Sequence, residues 1–148
     1  MQITRQADYA VRAVLYLANL GSIRHATTGM VAEEQHIPRS FLSKIVSQLT
    51  VAGILHTSRG AGGGVSLARE PKDISLLEVI EAIDGPIQLN ECVSDKSLCS
   101  FSDTCPFRLV WCDTQDQLLK RLKDTTFGQF LVQPQAVQIP RIAEACSV

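Results

Sequence analysis

The 148-residue chain has no run of about 18 apolar residues, so no transmembrane helix is expected. Met1-Gln2-Ile3-Thr4-Arg5 leads into neither an apolar h-region nor a small-residue cleavage site, and a cytoplasmic location follows as an expectation. Histidine is missing from the C-terminal half: His25, His36 and His56 all lie N-terminal. A nucleophilic cysteine there would have no imidazole base, and no acid–base pair stands out, so an enzyme with a small-molecule substrate is not expected. An even cysteine count is lacking too. Five cysteines without an export signal fit metal or redox chemistry better than a disulfide framework. Internal repeats and low-complexity segments are absent.

Net charge is close to zero, −1, but unevenly spread. Residues 1–70 hold seven Lys or Arg against four acids, a net of +3; residues 71–148 hold seven against eleven, a net of −4. A basic N-terminal face and an acidic C-terminal half are expected, although chance can produce such a split. The 45% of hydrophobic residues suffices for a packed core.

From Ala7 to Leu20, apolar residues recur every three or four positions, predicting an amphipathic helix that Gly21 stops. Thr27-Thr28 can cap a shorter helix to about Gln35. His36-Ile37-Pro38 is a turn, and Pro38 opens a third helix ended by Gly53, with Phe41, Leu42, Ile45, Val46 and Leu49 as its buried stripe. Two short strands follow, Ile54–Ser58 and Val65–Ala68. The Arg59-Gly60-Ala61-Gly62-Gly63-Gly64 link between them marks a wing behind a helix-turn-helix. A Walker loop does not fit these glycines, because no Gly-Lys-Ser/Thr follows and a strand, not a helix, comes next.

Beyond Pro71 a helix is expected over Ile74–Ile83. A stretch from Ile87 to Thr104 has no period and is expected to be a loop; a long helix then runs from Pro106 to about Asp124. Ile139 to Cys146 could form a short helix. The expected fold is mainly α with a small β-wing. Residues 1–85 form a winged helix-turn-helix domain, 86–105 a cysteine-rich loop, 106–132 a long C-terminal helix, and 133–148 a tail.

The outer face of the third helix carries Arg39, Ser40, Ser43, Lys44, Ser47 and Gln48, with no acid. These donors can reach phosphates and base edges of double-stranded DNA, and the N-terminal part of a second helix does so in a helix-turn-helix. Arg39, Ser40, Ser43 and Lys44 are therefore the candidate contacts; an ordinary solvated face is the alternative. Arg59, with Gly60 beside it, is the candidate wing contact in a minor groove.

Cys92, Cys99 and Cys105, separated by six and five residues, place three thiols within one loop, and Pro106 follows the last. Their spacing is wider than the cysteine pairs of structural zinc sites; a metal or cluster site is the reading, with unliganded redox thiols as the alternative. Cys112 lies a heptad beyond Cys105 beside Trp111, as a buried thiol would; Cys146 receives no role.

Gln2-Ile3-Thr4, Asp8-Tyr9-Ala10-Val11-Arg12-Ala13, the Arg59–Gly64 wing, Ile74-Ser75-Leu76 leading to Val79-Ile80, and the three-cysteine loop before Trp111 together resemble one family over about residues 1–132. It is the Rrf-two family of winged-helix transcription regulators, with cluster sensors of the IscR, NsrR and RirA kind. The resemblance implies a homodimer joined by the long C-terminal helix, repression at a palindromic operator, and an iron–sulfur cluster near the dimer interface that controls DNA affinity. Recognition residues correspond to Ser40, Ser43 and Lys44, and the wing arginine to Arg59. In IscR-like members a histidine lies three residues after the last cysteine; here Arg108 stands there and, staying protonated, cannot ligate a metal. In NsrR-like members an aspartate of the partner's first helix takes the role. Asp8 matches it, though an acid in a first helical turn is favourable in any case. Three thiolates and one weak oxygen ligand imply a labile iron and favour 4Fe–4S over 2Fe–2S. A regulator of the same fold that senses by thiol oxidation without a cluster is the alternative.

Overall fold

The computed structural model describes residues 2–21, 25–60 and 63–132. Helix α1 spans Arg5–Ala18, and its N-cap Thr4 accepts a hydrogen bond from the Ala7 amide. Ala7, Ala10, Ala13, Val14, Leu17 and Ala18 are buried along it. A stripe made largely of alanine lets neighbouring helices approach α1 closely.

Helix α2 (Thr28–Glu34) begins at Thr27, whose side chain accepts from Met30 N, and α3 spans Arg39–Val51 after Pro38. His36, in the turn between them, has φ +51°, a conformation that costs an L residue energy. Strands β1 (Leu55–Ser58) and β2 (Gly64–Leu67) pair antiparallel, with Leu55 opposite Leu67 and Ser58 opposite Gly64. Val65 also exchanges two backbone hydrogen bonds with Ala26, at 2.8 and 3.0 Å, tying the wing to the start of the helix-turn-helix. A Cβ on Gly64 would stand 2.5 Å from the Ala26 carbonyl oxygen, so only glycine permits this approach.

Helix α4 (Leu76–Asp84) opens with a reciprocal cap: Glu78 N donates to the Ser75 hydroxyl, and the Glu78 carboxylate accepts from the Ser75 backbone. The long helix, numbered α6, runs Phe107–Asp124. Its end folds back so that Leu76 N donates to Thr125 O and Phe127 N to Ile74 O, burying Phe127. Leu42, Ile45, Leu49, Ile54, Val65, Ile74 and Val79 belong to one core shared by α1, α3, α4 and the strands.

Three expectations need correcting or bounding. The Ile87–Thr104 stretch is not a plain loop: it holds the one-turn helix α5 (Glu91–Ser94), capped by Asn90, and a 3-10 turn at Lys96–Leu98. Such short elements are too brief to leave a period in the sequence. Phe41 is not buried with Leu42 but 48% exposed, because it packs edge-on against Tyr9 at the rim of the core. The helix expected at Ile139–Cys146 lies outside the described residues.

Candidate nucleic-acid interface and cysteine site

Burial of Leu42, Ile45, Val46 and Leu49 turns the opposite side of α3 outward. Ser40, Ser43, Lys44 and Ser47 are exposed there, and Gln48 is half-exposed. Arg39 is exposed as well, but its guanidinium is 3.0 Å from Glu33 on α2. Both side chains are more than 70% exposed, so the pair is worth at most about 1 kcal/mol and is readily exchanged for a phosphate. Ser43 donates its hydroxyl hydrogen to the Arg39 carbonyl at 3.0 Å, leaving it an acceptor for groups outside the helix. Arg59 and Gly60 are exposed at the end of β1, Gly60 with φ +101°. Recognition helix and wing thus present hydroxyls and cations from one domain.

The cysteine segment is built as an internally bonded unit. Cys92 is on α5, Cys99 ends the 3-10 turn, and Cys105 precedes α6 by one proline. Ser102 is buried and joins the turns, donating Oγ to Lys96 O at 2.6 Å and its amide to Cys99 O at 3.1 Å. Arg108 joins the ends: its Nε donates to the Cys92 carbonyl at 3.1 Å and its amide to the Cys105 carbonyl at 3.3 Å. The residue that cannot ligate a metal instead fastens the first cysteine's backbone to the last's.

Below it, Gln115 is buried, accepting from Leu89 N at 2.8 Å and donating to Ile87 O at 2.7 Å. Gln115 and Arg108 anchor the segment to α6; the sequence reading did not single out Gln115, and it took Arg108 only as a residue that cannot ligate a metal. The signal for Gln115 was a lone amide on a helix face shared with Leu119 and Leu122. Cys112 shares that inward face and is half-buried.

All four described cysteines are free thiols of intermediate exposure. The structure gathers their segments but not their donors: among the described residues no three His, Cys, Asp or Glu side chains converge to hold a metal ion. Asp8 stays on α1, 3.4 Å from Arg12 and exposed.

A helix-turn-helix with an attached two-stranded wing and a donor-rich second helix defines a winged-helix DNA-binding regulator. The chain belongs to the Rrf2 family: the model described as "Iron-dependent Transcriptional regulator" matches residues 3–133. It is 30% identical to the HTH-type transcriptional regulator IscR of Escherichia coli over 131 residues, 88% of this chain and 80% of IscR. Among solved structures, CymR, the global cysteine regulator of B. subtilis, matches with a TM-score of 0.73 at 25% identity, covering 88% of this chain and 95% of CymR. IscR of T. potens matches with a TM-score of 0.67 at 25% identity, covering 88% and 85%. The chain is accordingly a DNA-binding transcriptional regulator, of a family that regulates rather than catalyses. No helix among the described residues is long and apolar enough to cross a membrane.

Three soft thiolates suit an iron–sulfur cluster by donor chemistry. Among the described residues they have no fourth ligand beside them and do not converge in this conformation, so holding a cluster requires the segment to close and another group to join.

Proposed function

We propose that the chain is a homodimeric repressor whose affinity for a palindromic operator is set by an iron–sulfur cluster. Cys92, Cys99 and Cys105 of one subunit hold the cluster, and Asp8 of the other completes it. The observation that carries this reading is the Arg108 brace. It joins the Cys92 and Cys105 backbones while leaving the three thiols free, and it occupies the position where the family resemblance puts the histidine ligand of IscR-like members. A bound cluster supplies the sensing chemistry, since its weakly held iron is what nitric oxide, oxygen or a chelator attacks. The chain's own residues do the rest. Residues 86–105 respond to the cluster, residues 106–132 join the subunits, and residues 1–85 bind DNA through Ser40, Ser43, Lys44 and Arg59, with Arg39 once released from Glu33.

The dimer is supported by α6 itself. Of its 18 residues only Gln115 is buried, while Phe107, Leu109, Val110 and Trp111 are 41–74% exposed. Four exposed apolar side chains clustered in its first five residues, ahead of a polar C-terminal half, match a local interface more than a solvated surface.

Anaerobic absorption spectra with iron and sulfide analysis test the ligand set. Cys92→Ala, Cys99→Ala and Cys105→Ala should each abolish cluster retention, Asp8→Ala should alter the spectrum, and Cys112→Ala should leave it unchanged. One observation favours a second reading: the thiols stand apart in this conformation, as sensing by direct thiol oxidation allows. Protein that carries no iron or sulfide, yet loses operator affinity on mild oxidation, would establish that reading instead.

A further inference from the structure

The first two turns of α1 carry side chains with two different destinations. Outward, Asp8 and Arg12 pair one turn apart, Nε to Oδ2 at 3.4 Å. The Arg12 guanidinium carbon in turn lies 5.0 Å from the centroid of the Tyr9 ring. Tyr9 then meets Phe41 edge-to-face, centroids 6.2 Å apart and planes at 77°. Phe41 is the third residue of the recognition helix, next to Ser40.

A second contact grips the same helix two turns on: Gln6 donates Nε2 to Gln48 Oε1 at 2.7 Å. The start of α1 is itself fixed, because the Thr4 amide and hydroxyl donate to the two carboxylate oxygens of Asp84, at 3.0 and 2.6 Å. Asp84 ends α4, where a carboxylate opposes the helix dipole. Its bonds to the start of α1 offset that cost. Arg12 Nε is shut off from water and makes no aligned hydrogen bond among the described residues, so Asp8 and the Tyr9 ring are what hold it.

We infer that Tyr9, assisted by Gln6, is the positioning residue that couples the state of the Asp8–Arg12 pair to the recognition helix. When Asp8 turns to another partner, Arg12 loses its counter-charge and is left to the face of Tyr9. The ring then moves with the cation, and the edge it presents to Phe41 moves too. Because Thr4 is clamped to Asp84, the shift cannot be absorbed at the start of α1 and passes to α3. What draws Asp8 away, a cluster held by the other subunit, rests on the function proposed above; the grip on α3 does not.

Two measurements on the full chain separate these statements. The first needs no cluster: amide hydrogen exchange across Leu42–Val46 in chelator-treated protein. Arg12→Ala should speed it roughly two- to tenfold, the worth of one aromatic or cation–π contact. Tyr9→Phe should behave as wild type. In Tyr9→Leu exchange should already be fast, and adding Arg12→Ala should change nothing further. Exchange unchanged by Arg12→Ala, or additive effects in the double variant, would overturn the coupling.

The second is the ratio of operator affinities with and without cluster. It should shrink toward one in Tyr9→Leu and partly in Gln6→Ala, while Tyr9→Phe keeps it. A ratio of one in the wild type refutes cluster control, and the exchange result still decides the coupling. A ratio above one that Tyr9→Leu leaves unaltered refutes the coupling alone. Should Tyr9→Leu fail to fold, Arg12→Ala against wild type and Tyr9→Phe decides the exchange measurement, and Gln6→Ala, which removes only the bond to Gln48, carries the affinity ratio.

Discussion

Arg108 stands where an intra-chain ligand would be expected, and the structure gives it a different task, bracing the Cys92 and Cys105 backbones. The sequence excluded it as a ligand from guanidinium chemistry alone. Its contact with Cys92 was not legible, because a bond across 16 positions depends on how two irregular turns pack. Asp8 was legible only by resemblance, and its pairing with Arg12 follows from simple helical spacing, i to i+4. Glu78 shows the same contrast. The Ser75–Glu78 capping box rests on a three-residue spacing that the sequence reading did not pick out, and the added bond from Arg69 to Glu78, at 2.9 Å, is tertiary. Burial raises the pKa of Glu78, yet hydrogen bonds from the Ser75 backbone, Arg69 and the Ser75 hydroxyl outweigh it and leave it below the ordinary value of 4.5. A depressed carboxylate stabilises the fold above its unfolded pKa and stops doing so as pH falls through its folded one. Glu78→Gln keeps the cap but not the charge. It should cost roughly 0.5 kcal/mol at pH 7, discounted for exposure, and in urea titrations the gap from wild type should narrow as pH falls below the ordinary glutamate value and close once it passes the lowered folded pKa.

At the scale of elements, helices α1, α3, α4 and α6 and both wing strands were legible because each has a period or a strong stop: the alanine stripe, Pro38, Gly53 and the Arg59–Gly64 run. Observed limits differ from the expected ones by a residue or two, as at α1, Arg5–Ala18 against Ala7–Leu20. Helix α5 was not legible, since four residues held by an Asn90 cap leave no repeat to detect. Phe41 misled for a related reason: apolar spacing says which side a residue takes, not whether another element covers it. The exposed side of α3 yields a specific expectation. Lys44→Ala should weaken binding about equally on operator and unrelated DNA if Lys44 meets phosphate, lowering the slope of log K against log salt by about 1. If it meets a base edge, operator binding alone should fall, by about 1–3 kcal/mol. Titrations at three salt concentrations with both DNAs distinguish the two.

For the molecule as a whole, the winged-helix class followed from the order of elements, and membership of the Rrf2 family accords with it. The completed cysteine site was not legible in one chain, because in the function proposed here the fourth ligand and the cover for α6 would both come from a second copy. If α6 is that interface, Leu109→Glu with Val110→Glu places charges on its exposed side. Sedimentation should then show monomers, with operator affinity reduced at least tenfold as two half-sites are no longer read together. Unchanged dimers would locate the interface elsewhere. The central claim, that cluster occupancy governs DNA binding, is tested most directly by operator affinity. It is measured anaerobically at one salt concentration on the same preparation before and after the cluster is removed by chelation. Affinity should fall roughly 5- to 150-fold on removal, the span of ordinary allosteric coupling; equal affinity in the two states would contradict the account.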